Sequence, residues 1–228
     1  MKAITFDAVG TLFGLAEPVG ETYSRIARSH DWEIPAELLE KAFRNAWRAA
    51  PPLHLFHFGE PSTSPEAVER AWWRSLVENC FREARGANGS AFAPFELPES
   101  LFTELFDHFG EPEAWSIYPE VSEVLENLSR HYPLAVISNF DFRFHRVSEG
   151  LGLRLYFREV LLSGEFGSAK PAASIFGAAA DRLGFEPGQI LHIGDDPQAD
   201  WEGGRAAGFE IFELSRPANN LRDLLRFL

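Results

Sequence analysis

The chain opens on a short apolar run, Ile4-Thr5-Phe6, that ends at Asp7. Unbroken apolar and β-branched character predicts a strand buried on both faces. Gly10 then breaks the run and lets the backbone turn sharply. From Glu17 the period changes to that of helices. Glu17 to Ser29 carries Val19, Tyr23, Ile26 and Ala27 on one side, and Ala36 to Ala50 carries Leu38, Leu39, Ala42, Phe43, Ala46 and Trp47. Pro51-Pro52 stops this second helix, and a loop rich in His, Phe and Pro runs from Leu53 to Ser64. Ser64-Pro65-Glu66 is a helix start, with Ser as cap and Pro in the first turn. Val68, Ala71, Trp72, Leu76 and Cys80 form its inner face, and a further helix carries Leu101, Phe102, Leu105, Phe106 and Phe109. No strand is predicted in the roughly hundred residues after the first one.

Beyond Pro119 strands and helices alternate. Helices are predicted over Pro119 to Arg130, Phe140 to Gly150, Ala172 to Leu183, Asp200 to Ala207 and Asn220 to Leu228. Strands are predicted at Leu134 to Ile137, Glu159 to Leu162, Ile190 to Ile193 and Phe209 to Phe212. Alternation of this kind implies a parallel sheet with helices on both faces. The fold class is therefore α/β, a Rossmann-like doubly wound core with an inserted α-helical cap. Residues 1–14 and 117–228 are assigned to the core and 15–116 to the cap, with hinges near Phe13–Ala16 and Trp115–Tyr118.

Composition changes this picture little. Apolar residues are 45% and charged residues 24% of 228, an ordinary globular balance. The 21 Phe and 6 Trp suit a bulky core. A net charge of -13 argues against nucleic acid and against an anionic membrane surface. An anionic small substrate remains compatible, because a metal ion can reverse the local sign. The single cysteine, Cys80, excludes an internal disulfide, suits a reducing compartment and reads as a core residue. Met1 leads straight into the first strand without a signal peptide, and no apolar run reaches the ~20 residues of a membrane span. The expectation is a cytoplasmic monomer or homodimer.

Three predicted strands end in polar residues: the first at Asp7, the second at Ser138-Asn139, a later one at Gly194-Asp195-Asp196. In one parallel sheet these ends share an edge, where open α/β sheets bind ligands. Lys170-Pro171 opens the helix between the last two. Each feature has a plainer reading: a turn for Asp7, a loop for Ser138-Asn139, a solvated lysine, helix capping for Asp195-Asp196 with Asp200. Together they form a chemically coherent set. A carboxylate can attack phosphorus or carbon and form an ester, Lys170 and Ser138 can hold an anion, and Asp7 with Asp195 offers hard oxygen ligands for Mg²⁺.

Four segments resemble the motifs of the haloacid dehalogenase-like hydrolase superfamily, in its helical-cap subgroup: Phe6-Asp7-Ala8-Val9-Gly10-Thr11-Leu12, Ile137-Ser138-Asn139, Lys170-Pro171 and Gly194-Asp195-Asp196 followed by Asp200. The resemblance covers the whole chain. It implies a nucleophile at Asp7 assisted by Lys170, and substrate binding by Ser138, Asn139 and Thr11. It also implies Mg²⁺ on Asp7, Asp195 and the backbone carbonyl of Val9, with Asp196 and Asp200 behind them. The sequence departs from the phosphatase pattern at Val9, where those enzymes carry a second Asp that protonates the leaving oxygen and later activates water. Dehalogenases of the superfamily share the absence, which a halide leaving group tolerates, but they work without metal and lack the Gly-Asp-Asp segment. His54, His57 and Glu17 are candidates for the missing acid. Three readings follow: a Mg²⁺-dependent phosphatase of a small phosphorylated metabolite, a metal-independent 2-haloacid dehalogenase, and a catalytically impaired member with a binding or regulatory role.

Overall fold

The apolar run at the amino terminus forms the central strand of a five-stranded sheet. The computed structural model describes residues 1–52, 64–87 and 95–227. In it β1 is Ala3–Phe6, with all four residues buried. A three-residue strand, β2 (Phe13–Leu15), follows. Then come the helices α1 (Val19–Ser29), α2 (Ala36–Ala49), α3 (Pro65–Arg85) and α4 (Glu99–His108), and a second short strand, β3 (Trp115–Ile117), which pairs with β2. The remaining chain alternates: α5 (Val121–Ser129), β4 (Leu134–Ser138), α6 (Arg143–Gly150), β5 (Phe157–Leu162), α7 (Ser163–Phe166), α8 (Ala173–Leu183), β6 (Ile190–Gly194), α9 (Gly203–Ala206), β7 (Glu210–Glu213) and α10 (Leu221–Phe227).

The large sheet has the order β5-β4-β1-β6-β7 and every pairing in it is parallel. The chain builds outward from β1 to one edge, then crosses and builds outward to the other. The reversal at β1 is the topological switch point of a doubly wound fold. Alternation sends Ala3, Ala135, Ile137 and Ile190 onto α8, where they pack with Ile175, Phe176, Ala179 and Leu183. Ile4, Phe6, Leu134 and Val136 point to the opposite face and are equally buried. Burial on both faces explains why these strands read as unbroken apolar runs.

The chain divides into two units: residues 1–14 with 116–227, and the helical stretch 15–52, 64–87 and 95–115. In the helical unit Tyr23 of α1 stands 5.9 Å from Phe43, 5.7 Å from Phe81 and 6.1 Å from Phe109. Stacked and edge-on aromatic pairs at such distances add about 0.5–1.5 kcal/mol beyond the area they bury. Ser64 caps α3 by accepting the Ala67 N–H at 3.2 Å, with Pro65 in the first turn. Cys80 is fully buried there, and burial pushes its thiol up to about 12, so it is a packing residue and not a nucleophile. No helix among the described residues is long and apolar enough to cross a membrane.

Three expectations are corrected. Strands β2 and β3 lie within the stretch read as strand-free, since three residues are too few to display a period of two. Lys170 does not open a helix: it lies in the turn between α7 and α8, and α8 begins at Ala173. Asp200 does not begin its helix either. It sits inside a wide helical turn, Pro197–Glu202, that Asp196 caps at its amino end and that runs on into α9.

Candidate active site at the carboxyl edge of the sheet

Asp7 follows β1 directly, and its N–H still donates to Ile193 O of β6 at 2.8 Å. The carboxylate is thereby fixed where the central strand ends. The next residues wind tightly: Ala8 O accepts the N–H groups of Thr11, Leu12 and Phe13 at 3.3, 2.8 and 3.3 Å. Gly10 sits in the left-handed region at φ 89, and a Cβ there would collide with the Asp195 carboxylate. Any side chain at position 10 thus meets both backbone strain and a blocked site. Gly194, at the end of β6, lacks a side chain for a related reason, since a Cβ would overlap the Asp200 carboxylate.

The polar residues converge around Asp7. Ser138, at the end of β4, donates to Asp7 Oδ1 at 3.1 Å. Lys170 Nζ lies 2.6 Å from the same oxygen and 2.5 Å from Asp200 Oδ1. All three charged side chains are buried. Buried charges persist only when paired and hydrogen-bonded, and this cluster satisfies that condition around one ammonium. Burial opposes the charge on Lys170, but Asp7 and Asp200 outweigh it and raise its pKa. Burial also acts on Asp200, yet Lys170 and His192 overcome it and hold the carboxyl well below its usual range. At Asp7 burial dominates, and with the nearby Asp200 charge it raises the carboxyl despite Lys170.

Asp195 completes the cluster. Carboxylate oxygens of Asp7, Asp195 and Asp200 all lie within 4.8 Å of one another. Asp195 accepts from Thr11 Oγ1 at 3.2 Å. Burial, with Asp7 and Asp200 nearby, raises its carboxyl to about 6. Among the three, Asp200 is committed: Oδ1 takes Lys170 and His192, and Oδ2 takes the Asp196 N–H at 3.0 Å. Asp7 and Asp195 are the pair with capacity for a hard divalent cation, and the missing side chain at Gly10 keeps the Asp195 carboxylate accessible.

Asp195 therefore carries a testable cost. A carboxyl whose folded pKa is about 6, against about 3.9 unfolded, binds its proton more tightly when folded. The penalty is complete above pH ~6 and is relieved as pH falls toward ~4. In chelator at pH 8, Asp195→Asn should raise the melting temperature by about 2–4 °C, equivalent to ~1 kcal/mol after allowing for solvent screening of this partly exposed group. The gain should shrink at pH 4.5. Thermal melts at the two pH values check this, and a lower melting temperature at pH 8 would contradict it.

Other expected site residues are engaged differently. Asn139 donates through Nδ2 to Lys170 O at 2.9 Å and accepts the Lys170 N–H on Oδ1 at 2.8 Å, so its amide clamps the lysine backbone. Thr11 is fully buried and faces Asp195. Asp196 is exposed and accepts the Gln198 and Ala199 N–H groups at 2.8 and 2.7 Å. Val9 is 38% exposed, immediately beside the cluster. Glu17 is taken up by Arg25 at 2.5 Å and Thr22 at 2.8 Å. His54 and His57 lie outside the described residues.

Two participants had no motif to reveal them. His192 lies mid-strand in β6, and its one sequence signal was an imidazole within an apolar run. Arg216 follows β7 in irregular chain and donates to Gly10 O at 3.2 Å, to Thr11 O at 3.1 Å and to Glu120 at 2.6 Å. Its guanidinium lies 3.7 Å from the Tyr118 ring centroid. It pins the loop that carries Val9 and Thr11.

The parallel sheet thus brings a carboxylate, a buried lysine and an acidic cluster together at its switch point. The haloacid dehalogenase-like hydrolase family model matches residues 1–208. The mouse (Mus musculus) protein called haloacid dehalogenase-like hydrolase domain-containing protein 3 is 34% identical over 213 residues, covering 93% of this chain and 81% of its own. Among solved structures, the putative hydrolase YfnB of Bacillus subtilis, bound to magnesium, superposes with a TM-score of 0.72 at 17% identity, over 100% of this chain and 98% of that one. The L-2-haloacid dehalogenase of Xanthobacter autotrophicus gives 0.68 at 19% identity, over 99% and 81%. The protein belongs to the haloacid dehalogenase-like hydrolase family.

Proposed function

We propose that the protein is a Mg²⁺-dependent phosphatase acting on a small phosphorylated metabolite through an aspartyl-phosphate at Asp7. The observation that supports this reading most is the charge balance at the sheet edge. Three carboxylates with oxygens inside 4.8 Å surround a single ammonium. Such a cluster gains from a second cation, and its donors are the hard oxygens that Mg²⁺ takes. Asp7, Asp195 and the backbone carbonyl of Val9 would hold the ion, which when bound supplies Lewis-acid stabilisation of phosphoryl charge.

The residues of the chain then divide the work. Ser138 and Lys170 hydrogen-bond Asp7 Oδ1 and fix the carboxylate that attacks phosphorus. The Asp7–phosphorus bond forms as the ester P–O bond breaks. The leaving oxygen departs with the electron pair and takes its proton from water, because Val9 has none to give. Lys170 and Ser138 offset and bind the charge on the transferring group. Water then attacks phosphorus, releases inorganic phosphate and restores the Asp7 carboxylate, with one proton passing to solvent. In this reading the helical unit is the cap that selects the substrate, and Asn139, Thr11 and Asp200 hold the reacting groups in place.

The test is release of phosphate from an aryl phosphate with Mg²⁺ and with chelator. Metal-dependent turnover that chelator abolishes is expected, together with inertness toward 2-haloacids. Val9 favours one other reading, a 2-haloacid dehalogenase, since halide leaves without a proton. Halide release in chelator, with no phosphate release in Mg²⁺, would replace the first reading by the second.

A further inference from the structure

We propose that His192 is a positioning residue: acting through Asp200, it holds Lys170 against Asp7 and so governs the chemical step without touching substrate. The inference rests on the hydrolase reading of Asp7 and Lys170 given above. It starts from a residue that the reaction does not otherwise use.

His192 is fully buried in the middle of β6, opposite Thr5 of β1 in the strand register. Its Nδ1 lies 2.9 Å from Thr5 Oγ1 and its Nε2 lies 3.0 Å from Asp200 Oδ1. From there the chain of contacts runs through Lys170 Nζ at 2.5 Å to Asp7 Oδ1 at 2.6 Å. The direction of each hydrogen bond follows from chemistry. Asp200 is ionised beside Lys170 and can only accept, so Nε2 carries the proton. Nδ1 is then the acceptor, and the Thr5 hydroxyl donates to it. The Phe176 ring stands edge-on to the imidazole, with centroids 5.2 Å apart at 88°. The ring is held on three sides and has a single tautomer.

This arrangement decides how Lys170 is shared. Lys170 bridges two carboxylates, and its distance to each depends on how strongly each competes for it. The His192 N–H takes part of the electron density of Asp200 Oδ1 and fixes that carboxylate by a second donor. Without it, Asp200 binds Lys170 with its full charge, and only the Asp196 N–H at 3.0 Å still orients the other oxygen. Lys170 then moves its balance away from Asp7, the atom pair that needs it when charge develops. Apolar neighbours surround the site: Phe176, Ile190 and Phe209 belong to one packed cluster. A valine or leucine would suit the strand itself, so what the imidazole adds there is its hydrogen bond to Asp200.

The experiment compares His192→Leu, His192→Gln and Thr5→Val with the wild type in the full-length protein. The substrate is an aryl phosphate with saturating Mg²⁺. His192→Leu should lower kcat by about 10–100-fold, the usual cost of losing an outer hydrogen-bond partner, with KM within about twofold. His192→Gln, whose amide N–H can still donate to Asp200, should recover most of the loss. Thr5→Val, a change of shape-matched side chains, should show the same split between kcat and KM at smaller amplitude. It should add nothing to His192→Leu, and it carries the test should His192→Leu fail to fold. A kcat for His192→Leu within about twofold of wild type, or a Gln variant no better than Leu, would overturn the proposal. A second readout needs no turnover. The ¹⁵N-lysine NMR signal of the Lys170 ammonium should be slow to exchange in the wild type, lost in His192→Leu and restored in His192→Gln. Absence of wild-type phosphatase activity would sink the phosphatase reading alone, while an unchanged Lys170 signal in His192→Leu would sink this inference alone.

Discussion

Asp7→Asn will abolish hydrolysis while leaving the protein folded. The amide that replaces the carboxylate has no anionic oxygen to attack phosphorus, so no covalent intermediate forms. Removing the nucleophile of a covalent mechanism costs on the order of 10⁴-fold or more in kcat. The fold should survive for a specific reason. Lys170 keeps its contact with Asp200 at 2.5 Å and is not left as an unpaired buried charge. Burial also makes the charged form of Asp7 costly, so its neutral replacement removes a penalty along with an ion pair. The measurement is twofold: turnover of aryl phosphate by the variant, and acid-quench mass spectrometry of the wild type, which should find a phosphoryl group on the peptide carrying Asp7. Residual turnover above about one per cent of wild type in a folded variant would exclude Asp7 as the attacking group.

The parts of this molecule that could be read from sequence share a physical cause. Strands β1, β4 and β6 are buried on both faces, so each wrote a mainly apolar run, broken by Thr5 in β1 and His192 in β6, and each run stopped at the residue that reaches the site. The long helices α1, α2 and α3 wrote amphipathic stripes and ended at proline or left the stripe within a few residues of their true ends. Strand β7 shifted by one residue because its ends are exposed and its burial does not alternate cleanly. Strands β2 and β3 left no trace, being shorter than any pattern that could reveal them.

The chemistry divides along the same line. Convergence of Asp7, Ser138, Lys170 and Asp195 needs only the parallel sheet and the motif order, both of which the chain displays. Which side chain answers to which does not follow from order. Asn139 turning to the Lys170 backbone, Thr11 turning to Asp195, and Asp196 capping its own turn are outcomes of packing at distances near 3 Å. His192 and Arg216 were invisible for a further reason. One is a polar residue whose partners come from a neighbouring strand and a turn, and the other lies 206 residues from the carbonyl of Gly10 that it holds. Long-range polar pairing has no period.

Val9→Asp will raise the rate, and by an amount that depends on the leaving group. A positioned acid contributes about 10²–10⁴-fold when the departing oxygen needs a proton. An alkyl phosphate leaves as a strongly basic alkoxide and should gain near the upper part of that range, whereas an aryl phosphate with an acidic phenol should gain near its lower end or less. The wild type should accordingly show a steep loss of rate as the leaving group becomes more basic, and the variant a shallower one. Position 9 can accept the change because its side chain is 38% exposed, so a carboxylate there keeps much of its hydration. It does add a fourth negative charge beside Asp7, Asp195 and Asp200, so the gain should appear only with Mg²⁺, and the variant should melt lower than wild type in chelator. A series of phosphate esters of graded leaving-group basicity, assayed on both proteins with and without metal, reads all of this at once. Equal slopes for the two proteins, at substantial wild-type rates, would mean that another group already supplies the proton. The search for it would then turn to the stretch that holds His54 and His57.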